Sequence, residues 1–158
     1  MSSSHQVPAE SGRRAARAAA LAVGVVFLAV GVLGFVPGVT TNTDQLQGTG
    51  HHSSAELLGL FQVSVLHNVV HLLFGVVGLA AAARPRVVPA VLVGSGVVYG
   101  VLTVYGFVVD HGSQANFVPV NSADNWLHLG LTVGLVALGL VVGRAQSHDP
   151  AQRPGTRS

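Results

Sequence analysis

No cysteine occurs among the 158 residues, and no lysine either. The first absence excludes disulfides, iron–sulfur clusters and thiolate metal sites. The second leaves arginine and histidine as the only basic side chains. Charge of either sign is scarce. Only 9% of residues are charged while 49% are apolar, against about 25% charged in an ordinary soluble domain. Such a chain cannot solvate a globular surface. Its formal net charge is +2, and no basic stripe interleaves with aromatics, which argues against nucleic-acid binding. P-loop, G-x-S-x-G and H-E-x-x-H patterns are missing as well, so the sequence does not read as an enzyme.

What it does contain is long uncharged runs. They predict an all-α, integral membrane four-helix bundle of one domain, residues 15–143, with spans near 18–36, 61–83, 87–109 and 122–143. Each run supplies the roughly 20 apolar residues needed to cross about 30 Å of hydrocarbon. Helices are expected because lipid cannot satisfy backbone polar groups, and the short alternating segments of a barrel are absent. Residues 1–14 and 144–158 read as disordered tails. No A-x-A-like cleavage site follows the first run, so it reads as a span rather than a secretory signal.

The arginines alternate with the runs. Arg13, Arg14 and Arg17 precede the first span, Arg84 and Arg86 separate the second from the third, and Arg144, Arg153 and Arg157 follow the fourth. The first and third connections carry Asp44, Glu56 and Asp110 instead. By the positive-inside rule both termini are cytoplasmic, and the expected location is a bacterial inner membrane. The partner implied is the lipid bilayer, with a second copy or another membrane protein as further candidates. Gly96/Gly100, Gly130/Gly134 and Gly139/Gly143 have the spacing of close helix packing, although 20 glycines make such matches cheap.

The two halves resemble each other. The segment Val63–Leu72 aligns without gaps on Val120–Leu129, placing Asn68 and His71 over Asn125 and His128. Val32–Val36 likewise resembles Val104–Val108. Two hairpins of like orientation follow, with a pseudo-two-fold axis along the membrane normal. The alignment sets helix starts: Asn121 is a good N-cap with Asp124 three residues on, and Ser64 holds the equivalent place. Ser53 with Glu56 forms a competing capping-box pattern. On the first choice, Ser54–Val63 is an interfacial helix or an overhang.

His67 and His71 are four apart and share a helix face, as do Asp124 and His128. Ionisable groups within a span are costly and face the bundle interior. A two-fold axis between the hairpins brings His67 to Asp124 and His71 to His128. Three uses are open. The groups can be structural, as interhelical hydrogen bonds of about 0.6–2 kcal/mol each, with Ser64, Asn68, Asn121 and Asn125. They can ligate a metal ion or haem through His67, His71, Asp124 and His128. Or they can carry protons or a small solute, histidine being the side chain that titrates near neutrality.

The runs Leu66–Gly75 and Pro119–Leu129 resemble the bacterial membrane proteins grouped as domain of unknown function 4383. The likeness spans roughly residues 15–143. Ser64 stands where that family shows Asn before the first histidine motif, a change that keeps capping chemistry. The resemblance implies a four-helix inner-membrane protein and no activity.

Overall fold

The computed structural model describes residues 7–49 and 52–147, with side chains from residue 10 onward. Four helices dominate: α1 Val7–Leu33, α2 Val65–Ala82, α3 Val88–Val108 and α4 Ser122–Ser147. All four are long and apolar enough to cross a membrane. α1 packs mainly on α2, and α3 mainly on α4, so the bundle is two hairpins laid side by side. Small residues let the backbones approach. A Cβ on Gly78 would stand 2.9 Å from the Gly24 Cα, and one on Gly96 would stand 3.1 Å from the Val136 nitrogen. Between helices in lipid, such close approach replaces the hydrophobic drive that water supplies elsewhere. Gly139 is packed in the same way against Pro89, whereas Gly130 and Gly134 face open space.

The helices outrun the apolar stretches that announce them. α1 starts at Val7 and α4 continues to Ser147, so residues 7–14 and 144–147 are helical, not disordered tail. Pro8 falls in the first turn, where its missing N–H costs nothing, and Glu10 pairs with Arg14 one turn on. A Cβ on Gly12 would lie 2.8 Å from the Ala145 carbonyl oxygen, and Gln146 Nε2 donates to the Pro85 carbonyl at 2.7 Å. The two extensions thus pack on each other and on the α2–α3 connection. Arg13, Arg14, Arg17, Arg84, Arg86 and Arg144 all lie at this end of the bundle.

At the opposite end, the long α1–α2 connection folds into a small antiparallel sheet. Its strands are β1 Thr40–Thr41, β2 Glu56–Leu57 and β3 Phe61–Gln62, in the order β1-β2-β3. Thr40 pairs with Leu57, and Leu57 with Phe61. Leu58 and Gly59 both take positive φ, 56° and 66°, to turn the chain between β2 and β3. No helix spans Ser54–Val63, which corrects that expectation. The Ser53 hydroxyl donates to the Val63 carbonyl at 2.5 Å inside the sheet and caps nothing helical. Ser64 is the N-cap of α2, its Oγ accepting from His67 N at 3.1 Å. The second span therefore begins at Val65, after the predicted 61, because residues 61–62 are already committed to the sheet.

Candidate functional site

α2 and α4 each bring polar residues into the bundle within two turns of their N-termini. Ser64 sets the phase of α2, turning His67, Asn68 and His71 inward. In α4 the phase is set by a reciprocal cap. Asp124 N donates to Asn121 Oδ1 at 3.0 Å, and Asn121 N donates to Asp124 Oδ2 at 2.9 Å. This satisfies two orphan donors at once, and turns Asp124, Asn125 and His128 inward.

Three of the four candidate ligands meet. The His67 and His71 rings are 4.6 Å apart between centroids, and His67 and His128 are 6.0 Å apart. Tyr99 of α3 completes the group, 5.3 Å from His128 and 6.2 Å from His71. Phe27 of α1 packs beneath, 5.6 Å from His71 and 5.5 Å from Tyr99. These four polar rings are at most 6% exposed. The Nδ1 atoms of His67, His71 and His128 and the Tyr99 hydroxyl make no well-aligned hydrogen bond, and nor do both amide atoms of Asn68, Asp124 Oδ1 and Asn125 Oδ1 beyond the rings. The four rings line a cavity of about 70 Å³ whose other walls are Leu66, Val70, Leu102 and Val118. The α3–α4 loop adds to its wall: Val118 is in the lining, and the Pro119 carbonyl lies against the His67 ring.

Asp124 does not join. Its Oδ2 accepts from Gln62 N of β3 at 3.0 Å as well as from Asn121 N, and Oδ1 has no partner. Asn121 Nδ2 reaches the same strand region, donating to the Leu60 carbonyl at 2.8 Å. The expected pairing of His67 with Asp124 is thereby corrected: His67 faces His128, because backbone N–H groups of the sheet and the helix cap take the carboxylate. Among the described residues, no three of His, Asp and Glu are arrayed to hold a metal ion.

The two asparagines have another role. Asn68 lies against Gly34 and Asn125 against Gly106 so closely that a Cβ on either glycine would overlap the amide. Asn125 Nδ2 donates to the Gly106 carbonyl at 2.8 Å. His111 Nε2 lies 2.9 Å from the same carbonyl. In the α1–α2 connection, His52 lies apart from the cavity, and its neighbour His51 is outside the described residues.

Tyr99 is the member of the ring cluster that sequence reading missed. A phenol in mid-span needs a partner for its hydroxyl, and that was the available signal.

Fold and site together define a helical membrane protein of four apolar helices with a polar cluster buried toward one end. The family signature called Domain of unknown function (DUF4383) matches residues 17–141, and the chain belongs to that family. No curated protein and no solved structure matches the chain.

Proposed function

We propose that this is a ligand-binding protein of the bacterial inner membrane, with both ends of the chain cytoplasmic and a small guest held in the imidazole–phenol cavity. The observation that carries the reading is a cavity of about 70 Å³ walled by three buried imidazoles and a phenol, which present almost wholly apolar surface to it. Interiors are close-packed, so a void of this size beside four buried rings is room for a small guest.

Binding suits the cavity better than conduction. Below Phe27 the bundle interior is Ala16, Ala20, Ala81, Leu92, Leu135 and Val142, all buried and apolar. Polar lining stops halfway, and a path across the membrane would need it to continue. Binding also suits it better than catalysis, since the Ser64 hydroxyl is committed to its helix cap. The surrounding Asn and Asp groups serve as frame, fixing how the hairpins pack.

A repeated unit supports the frame. Gly24 packs on Gly75 and Leu79 as Gly96 packs on Thr132 and Val136. Gly34 meets Asn68 as Gly106 meets Asn125, and Phe27 stacks on His71 as Tyr99 meets His128. Each pair is related to its counterpart by the same shifts along the chain. Asp124 stands where the first unit has His67, so the cavity is the place where the halves diverge.

Xenon titration of full-length protein in lipid nanodiscs, followed by NMR of ¹⁵N-labelled histidine, tests the binding reading. The resonances of His67, His71 and His128 are expected to shift together, since apolar cavities of this kind take xenon. Resonances that stay put at saturating xenon end it. Orientation has its own check. A cysteine at Pro85, between the two arginines of the α2–α3 connection, is expected to react with impermeant maleimide only after the cells are opened. Labelling in intact spheroplasts reverses the topology.

A further inference from the structure

We infer that the guest is a small apolar molecule dissolved in the bilayer, of about two to four non-hydrogen atoms, and that it enters sideways from lipid between α2 and α3. The inference rests on the binding reading above and adds the guest's polarity, its size and its route.

Polarity is decided by what the walls show. His67, His71, Tyr99 and His128 present almost only carbon to the void, and its other lining residues are aliphatic. The three Nδ1 atoms and the Tyr99 hydroxyl have no accessible surface there. A polar guest would give up its hydrogen bonds to water and find none in return. An ion would fare worse, since neither carboxylate nor guanidinium lines the cavity. An apolar guest gives up nothing. Arriving from hydrocarbon, it gains the dispersion contacts with four rings that an empty void forfeits. Size follows from volume. The cavity is about 70 Å³, half of the roughly 150 Å³ that accepts a six-carbon ring such as benzene.

The route is marked by the mouth. Leu66 and Val70 of α2, Leu102 of α3 and Val118 of the α3–α4 loop all line the cavity, and each is partly exposed. Their helix neighbours Val69, Leu73, Val98 and Val101 are exposed and apolar. On membrane-spanning helices such a surface faces lipid, where apolar solutes concentrate over water. Leu66, Val70 and Leu102 lie within about 9 Å of the helix ends on the sheet side, at about 1.5 Å per residue. Lipid tails end near the midplane, about 15 Å deep. The occupant is therefore a free solute, not the end of a tail.

Propane and formamide have equal numbers of non-hydrogen atoms and differ in polarity. Each is titrated against full-length protein in lipid nanodiscs while histidine ¹⁵N resonances are followed. Propane is expected to move His67, His71 and His128 together with a Kd of about millimolar order, the limit for so few atoms. Formamide and the larger benzene are expected to leave them in place. Leu102→Trp and Val70→Trp each close the mouth with an indole and are expected to abolish the propane response. Val76→Trp, further along the exposed face of α2 and outside the lining, is expected to keep it. If formamide moves these resonances and propane does not, the polarity is wrong. If benzene moves them, the size is wrong, and if both mouth variants respond like the parent, the route is wrong. Each result overturns the inference, while a xenon response keeps the binding reading. Contact between lipid methyl protons and the His67 ring in propane-free nanodiscs would make a lipid tail the occupant and overturn it too.

Discussion

Gly106→Ala is expected to destabilise the protein by about 2–3 kcal/mol, the upper range for overpacking a tight interior, and Asn125→Ala in the same chain is expected to restore most of it. The new methyl group would occupy the position of Asn125 Oδ1. Asn125 cannot swing aside, because it is 2% exposed and its Nδ2 donates to the Gly106 carbonyl at 2.8 Å. Breaking that bond leaves a buried amide without a partner, a further cost of about 1–3 kcal/mol. Thermal unfolding of the two single variants and the double variant forms a double-mutant cycle whose coupling term isolates the contact. Gly94→Ala and Gly130→Ala are the controls: neither Cβ would meet anything within 4 Å, so both are expected to stay within about 0.5 kcal/mol of the parent. An additive cycle, or a neutral Gly106→Ala, would show that the amide and the glycine do not set this helix crossing.

The contrast between these glycines marks what can be read in a membrane sequence. Four spans were legible because lipid dictates length, and six arginines fall at one end of the bundle as their alternation suggests. GxxxG spacing carried little information: Gly96 and Gly139 are packed, while Gly130 and Gly134 are open. Spacing fixes which residues share a face, not which face meets another helix. The helix extensions escaped notice because apolar runs define where a span must be and not where its helix ends. Glu10 and Arg14 were the local signal for the longer α1. Two serine caps competed for the start of α2, and neither is stronger locally. Non-local contacts decided between them, since β2 pairs with β1 and β3 is tied to α4.

The site divides the same way. His67, His71 and His128 come together because helical periodicity and an inward-facing polar stripe are local properties. Their use was not legible, because it depends on a void and on Tyr99, which arrives from another helix. The destination of Asp124 was hidden for a further reason. Its partner is a backbone N–H in a two-residue strand, and no side-chain pattern announces a backbone donor.

Asp124→Leu follows from that contact, and its expected cost is about 3–4 kcal/mol. Two backbone N–H groups, Gln62 and Asn121, lose their acceptor together. Each buried orphan costs about 1–3 kcal/mol, and the loss of half a capping box adds to this. Asp124→Asn keeps an acceptor oxygen in place and is expected to lose about 1 kcal/mol, the difference between a charge-assisted bond and a neutral one. The damage has an address. Amide hydrogen exchange is expected to accelerate at Gln62 and Asn121, at the β-sheet end of the bundle, while Ala81 and Leu135 in the opposite half keep their protection. The α3–α4 loop should loosen too, since Asn121 follows directly on the segment that places Val118 in the cavity wall. Water contact at His67 in Asp124→Leu is therefore expected to rise while the ring cluster remains assembled. If Gln62 keeps its protection in this variant, the carboxylate is not what ties α4 to the first hairpin. The sheet would then have to be held by Asn121 and the Leu60 carbonyl alone, and Asn121→Ala, not Asp124→Leu, would be the change that opens the cavity to solvent.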